Sequence, residues 1–233
     1  MIEPRVSFLV AGAQKSGTSA LNSYLRKNPR IEMAIKKEVH FFDDDDSFQD
    51  EVDYNRYHQS FTNPYAKIKG ESTPIYMYWN PSMRRIFDYN PKMKIVVILR
   101  NPIERAFSHW NMNRNKSHDT LDFSTAIRRE SVRCRKALPL QCRFFSYLDR
   151  GFYSEQIRRI WRFFPKGQTL FIRQEELMES PYQTLNRVGI FLGVGEFEDV
   201  EEVDFTGRYE SKLSDRDYDY LHSKFISEIG QIE

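Results

Sequence analysis

A chain of 233 residues with 40% hydrophobic and 15% aromatic content is long enough for one sizeable core, short for two, and too apolar to be disordered. Its 35 basic and 33 acidic residues leave a net charge of +2, so no global field calls for nucleic acid or an anionic membrane, and any anion selectivity must be local. The two cysteines, Cys134 and Cys142, are too few for a disulfide scaffold and lack metal-ligand spacing. Reduced thiols in a cytoplasmic protein are the simplest reading, with one disulfide between them left open.

The first apolar run, residues 6–11, reads as a strand. It is far too short for a signal-peptide core or a membrane span, so no transmembrane segment is expected. The run breaks at Gly12, a polar loop holding Lys15, Ser16 and Gly17 comes next, and residues 18–26 have the apolar spacing of a helix. A helix start offers unpaired N–H groups and a positive dipole end, and here Lys15, Ser16, Thr18 and Ser19 add a charge and three hydroxyls. Gly12 and Gly17 have the spacing of a P-loop, but Thr18 stands where its lysine belongs, and Lys15 precedes the second glycine by two residues. The loop is therefore either a phosphate cradle unlike the ordinary nucleoside-triphosphate one, or a tight strand-to-helix turn with chance hydroxyls.

Residues 36–43 read Lys-Lys-Glu-Val-His-Phe-Phe-Asp. An extended chain here puts Glu38, His40 and Phe42 on one face and Val39 and Phe41 on the other. A carboxylate beside an imidazole under flanking lysines suits acid–base work, and suits equally a surface ion pair beside a core strand. The four aspartates 43–46 read as a solvated turn. The other reading is a divalent-cation site, but consecutive acids without glycine lack the spacing of known cation loops.

Further strands are expected at 67–71, 94–99 and 169–172, and further helices at 81–89, 102–113, 124–136, 154–164 and 181–192. Val96-Val97-Ile98-Leu99 is continuously apolar, as in a parallel strand covered on both faces. Alternating strands and helices predict an α/β fold, a central parallel sheet flanked by helices, in a single domain over 1–233. Ligands of such sheets bind at the carboxyl ends of the strands, which places Lys15 and Arg100 on one edge. After Arg100, Asn101 is a helix cap and Pro102 suits the first helical position. Ser108, seven residues past Asn101, returns to the cap's side of the helix. Arg100 and Ser108 are so placed to grip one phosphate, Arg through its planar fork, though a strand-end Arg pairs as readily with a carboxylate.

Three segments in this order, 14–19, 37–43 and 100–108, resemble the sulfotransferases that use 3′-phosphoadenosine 5′-phosphosulfate (PAPS), closest in flavour to the heparan sulfate 3-O- and N-sulfotransferases and their bacterial relatives. Residues 150–153, 160–165 and 190–194 match the family's general run, so the resemblance covers nearly the whole chain. It implies a P-loop-like three-layer sandwich, PAPS as cofactor with adenosine 3′,5′-bisphosphate (PAP) as its product, and no metal. It implies too that Lys15, Ser16, Gly17, Thr18 and Ser19 bind the 5′-phosphosulfate end, with Lys15 at the bridging oxygen, and that Arg100 and Ser108 bind the 3′-phosphate. Gly207, Arg208 and Tyr209 resemble a late loop closing over the cofactor. Glu38 falls on the family's base, with His40 beside it as the acid–base partner, and Lys37, His40 and Asp43 toward the acceptor.

The implied acceptor is a hydroxyl or amine of a small molecule or saccharide. Basic residues such as Lys116, Arg128, Arg129, Arg133 and Arg135 suit a polyanionic sugar, or are simply solvated. Ser72 departs from the family, since the heparan enzymes carry a lysine after the glutamate of the third strand. The paired cysteines near the carboxyl end of the Golgi enzymes are absent too. The competing reading is a P-loop phosphotransferase needing ATP and Mg²⁺, against which the displaced lysine argues.

Overall fold

The computed structural model describes residues 6–63, 65–197, 209 and 212–232. In chain order its elements are β1 (Phe8–Gly12), α1 (Thr18–Lys27), β2 (Ile31–Met33), α2 (Tyr54–His58), β3 (Ile68–Ser72), α3 (Ser82–Tyr89), β4 (Lys94–Leu99), α4 (Pro102–Asn115), α5 (Phe123–Arg128), α6 (Glu130–Cys134), α7 (Tyr153–Trp161), β5 (Thr169–Arg173), α8 (Gln174–Glu179), α9 (Pro181–Leu192) and α10 (Asp215–Ile232). They fall into two compact units. The first takes the described residues up to Leu99 and from Arg159 through 197; the second takes Arg100–Arg158 and the described residues from 209 on.

The first unit holds the sheet, in the order β2-β3-β1-β4-β5 and parallel throughout. Val10 stands opposite Ser72 of β3 and Val96 of β4, and Ile98 opposite Ile172 of β5. Phe8, Val10, Val96 and Ile98 bury one face against Leu21 and Leu25 of α1 and Leu185 and Val188 of α9. The alternate residues Leu9, Ala11, Ile95 and Val97 are fully buried as well. Both faces are thus covered, as expected from the unbroken apolar runs, and the predicted α/β architecture of a parallel sheet flanked by helices is observed. Where β3 pairs with β1, Gly70 stands opposite Phe8 and leaves room for its ring, which lies 2.1 Å from where a Cβ on residue 70 would stand.

The second unit packs α4, α5 and α10 around Ile103, Ala106, Phe107, Phe123, Leu221 and Phe225. Fully buried Arg105 donates to the carbonyl of Tyr147. Asn101 caps α4 as expected, its side chain accepting from the Ile103 N–H at 2.9 Å with Pro102 in the first turn.

Several local expectations differ from the observed structure. The extended chain considered for residues 38–42 is not observed. Glu38 and His40 have φ of 61° and 57°, which interrupts the pleat, and both Phe41 and Phe42 turn inward. They join Phe48, Tyr54, Tyr57 and Tyr89 in an aromatic cluster, Phe42 meeting Tyr57 edge-on at 5.0 Å. The helix expected over 124–136 breaks at Arg129 into α5 and α6, with a 3₁₀ turn after Cys134. β2, at three residues, is too short to show a period, and α2, α8 and α10 have no counterpart among the expected helices. No helix among the described residues is long and apolar enough to cross a membrane.

Gly70→Ala tests the close approach of β3 to the Phe8 ring. The added methyl overpacks the core, so stability to urea falls by about 1–3 kcal/mol; an unchanged midpoint would show that the ring moves aside freely.

Candidate active site

In the first unit the turn after β1 is pinned by the Ala13 N–H donating to the Ile98 carbonyl at 2.7 Å and the Ser16 N–H donating to the Ala13 carbonyl at 3.2 Å. Lys15 (φ 71°) and Gly17 (φ 95°) both turn left-handed, a conformation natural for glycine and strained for lysine. Gly17 is the N-cap of α1, no side chain caps the helix, and its first turn carries no acidic residue. Ser16 is fully buried, and its hydroxyl has no hydrogen-bond partner among the described residues. Leaving such a hydroxyl unpaired costs about 1–3 kcal/mol. An anion seated at the start of α1 supplies the missing acceptor and meets the positive helix end, so a phosphate or sulfate ester fits these residues.

The acidic segment hangs from the neighbouring strand, because the Glu38 N–H donates to the carbonyl of Ser72 at the end of β3 (3.0 Å). β1 and β3 run parallel, so Glu38 and the Lys15 turn belong to the same edge of the sheet. Glu38 accepts from Lys37 Nζ at 2.6 Å, and its second oxygen lies 3.5 Å from His40 Nε2. His40 Nδ1 in turn faces Asp43 at 3.0 and 3.1 Å. The result is a Lys37–Glu38–His40–Asp43 charge chain in which Asp43 is buried and the others are half-exposed. Asp43, chiefly, and Glu38 raise the His40 pKa to about 9, against the opposing effect of burial. His40, with Lys37, draws Glu38 down to about 2 although burial pushes it the other way. At neutral pH His40 is therefore an imidazolium between two carboxylates. Asp43 orients that ring from behind.

A second carboxyl, missed at the level of sequence, supports this segment. Glu71 of β3 is fully buried, and burial raises its pKa to about 7. It accepts hydrogen bonds from Thr73 Oγ1 at 2.6 Å and from the hydroxyls of Tyr57 and Tyr76. The Tyr76 oxygen accepts in its turn from the N–H groups of Phe41 and Phe42 at 3.1 and 3.4 Å. The aspartate run is taken up piecemeal: Asp43 by His40, Asp44 by Ser47 and Arg56, Asp45 by Arg85, Asp46 by Gln49. Among the described residues no cluster of three or more metal-ligating side chains forms. Among the described residues the hydroxyl of buried Ser72, like that of Ser16, has no partner.

In the second unit three residues expected at the cofactor converge. The Tyr209 hydroxyl donates to Ser108 Oγ at 3.2 Å and also hydrogen-bonds the Arg100 side chain, while its ring stacks on Phe107 at 5.7 Å. Arg100 forks onto Glu104 Oε2 at 2.9 and 3.1 Å, and Tyr153 donates to its carbonyl. This cationic, hydroxyl-lined group suits a phosphate that displaces Glu104. Gly207 and Arg208 lie outside the described residues. Of the basic residues assigned to an acceptor path, Arg128 is engaged by Asp217 (2.6 Å) and Arg133 by Asp119 (2.8 Å), so these two serve the fold.

Residues 6–216 match the sulfotransferase domain family. The chain belongs to that family. It is 30% identical over 186 residues to heparan sulfate glucosamine 3-O-sulfotransferase 3B1 of Mus musculus, a match covering 80% of this chain and 45% of that protein. It is 26% identical over 196 residues to the human bifunctional heparan sulfate N-deacetylase/N-sulfotransferase 2, covering 82% of this chain and 22% of that one. The chain thus spans about half the length, or less, of the curated relatives it matches. A sulfotransferase from Alicyclobacillus acidocaldarius superposes with a TM-score of 0.81 at 27% identity, covering 98% of this chain and 94% of that one. At 16% identity, the mouse sulfotransferase SULT7A1 complexed with PAP shares the fold, with a TM-score of 0.56 over 97% of this chain and 66% of that one.

The raised pKa of His40 makes its pairing a source of stability that is complete below the usual 6.5 and is lost as pH climbs through about 9. The depressed Glu38 contributes above 4.5, and that part is lost only as pH falls toward about 2. His40→Ala should therefore flatten the decline in melting temperature between pH 6.5 and 9. Parallel declines in both proteins would show that the ring titrates elsewhere.

Proposed function

We propose that this sulfotransferase-family chain moves a sulfuryl group from PAPS to a hydroxyl or amine of an acceptor by in-line displacement. The carrying observation is the start of α1: uncapped, free of acidic residues in its first turn, with Lys15 in the turn and the buried Ser16 hydroxyl unpartnered. That set fits the 5′-phosphosulfate end, with Lys15, Gly17, Thr18 and Ser19 as its other holders. The Arg100–Ser108–Tyr209 group fits the 3′-phosphate. When bound, PAPS supplies the activated sulfuryl group; the chain's residues bind, orient and move the proton. Lys15 stands ready to neutralise charge on the leaving side. Glu38 takes the acceptor's proton, and His40 holds that carboxylate in place with Asp43 behind it.

Glu38 is a weak base while Lys37 and His40 hold its charge. An acceptor group that replaces Lys37 Nζ at its oxygen would lift only the lesser hold on that carboxylate, the His40 bond being the larger, so its basicity recovers in part as the proton begins to move. Among acceptors a saccharide is favoured by the names of the curated relatives, and a small molecule remains the alternative class. The P-loop kinase reading has no support in this loop, where Thr18 occupies the lysine position and the family match is to sulfotransferases. A cytoplasmic setting is proposed with it, supported by the two free thiols.

Lys15→Ala and Glu38→Gln should each lower turnover by about 10²–10⁴-fold with an unchanged circular-dichroism melt; a wild-type rate in either variant removes that residue from the mechanism. Arg100→Ala should weaken binding of PAP, read by calorimetry, more than it lowers turnover at saturating PAPS. Unchanged affinity for PAP would contradict the 3′-phosphate assignment.

A further inference from the structure

The transfer chemistry uses neither thiol, yet the second unit brings them together. Cys134 ends α6, Cys142 lies in the segment after it, and both line a cavity of about 550 Å³ walled also by Glu130, Leu138, Leu140 and Lys224. Both are free, and their side chains hydrogen-bond each other. The pair is polarised. Cys142 Sγ accepts from Cys134 and from the Phe145 N–H at 3.4 Å, and it feels the positive charge of Arg150. Cys134 faces the carboxyls of Glu130 and Asp149. These surroundings draw the Cys142 thiol down to about 6, the bond from Cys134 first among the causes, and push the Cys134 thiol far up. Glu130 is itself fixed, accepting from the Leu148 and Asp149 N–H groups at 2.7 and 2.8 Å.

We propose that Cys134 and Cys142 form a thiol–disulfide exchange site, open through this cavity to small-molecule disulfides, with Cys142 as the attacking thiolate and Cys134 as the resolving thiol. Cys142 sulfur attacks one sulfur of the incoming disulfide, the S–S bond breaks, and one thiolate leaves. Cys134 then gives its proton to solvent and attacks the Cys142 sulfur of the mixed disulfide, releasing the second thiolate. The protein dithiol loses two electrons and two protons in becoming an internal disulfide, and the small disulfide is reduced to two thiols. The two side chains hydrogen-bond each other and line one cavity, so the second thiol is at hand when the first has reacted. The Phe145 N–H and the Arg150 charge favour a thiolate on Cys142, the carboxyls of Glu130 and Asp149 disfavour one on Cys134, and that asymmetry gives the order of attack.

The test is treatment of the reduced full chain with oxidised glutathione at pH 7, alkylation of the remaining thiols, and peptide mass mapping. Wild type should pass through a glutathione adduct on Cys142 to a Cys134–Cys142 disulfide with no alkylatable thiol left. Cys134→Ser, which keeps a hydroxyl donor to Cys142, should stop at one stable adduct on Cys142. Cys142→Ser should react more slowly, by roughly threefold or more. A first adduct on Cys134, equal rates in the two variants, or a wild-type chain that keeps both thiols alkylatable would overturn the proposal.

Discussion

The parallel pairing of β1 between β3 and β4 is the constraint on which the rest depends. With Val10 held level with Ser72 and Val96, the chain leaves β1 and β3 at one edge of the sheet, and the residues proposed to react are carried on the turns and segments just beyond those exits. Two backbone bonds translate that register into chemistry: the Ala13 N–H to the Ile98 carbonyl seats the Lys15 turn on β4, and the Glu38 N–H to the Ser72 carbonyl hangs the acidic segment from β3. A slip of one residue would reverse every side chain and detach both. The buried strand residues that oppose such a slip therefore help to position the proposed site.

Strain and charge are concentrated where the sheet ends. Lys15, Glu38 and His40 all adopt left-handed backbone, each at a cost of order 1–3 kcal/mol, and such residues persist only when their surroundings fix them. The fixing groups are visible. Phe41 and Phe42 anchor in the aromatic cluster, their N–H groups bond Tyr76, and Tyr76 bonds the buried Glu71. His40 is clamped between Glu38 and Asp43. The arrangement lowers the basicity of Glu38 at rest while holding it in place.

How much of this was legible depends on the range of each signal. The Lys15 turn and the capped start of α4 are local, written in glycine, hydroxyl, asparagine and proline positions within a few residues, and both are observed. The alternation that an extended chain would give over 38–42 is not seen, because a residue pattern says nothing about non-glycine φ, which tertiary contacts imposed here. Arg128 and Arg133 looked like candidates for an anionic acceptor until their partners Asp217 and Asp119, remote in sequence, were in view. Glu71 and the thiol pair were silent for the same reason: burial and contact are properties of the packed chain.

The most direct test of the central claim is label transfer. Purified chain is incubated with PAPS carrying radioactive sulfur and a panel of hydroxyl and amine acceptors, saccharides included, with and without a chelator, in parallel with γ-labelled ATP and Mg²⁺. The account predicts that sulfur label enters an acceptor at the same rate in chelator and that ATP labels nothing. Transfer from ATP with none from PAPS would contradict it.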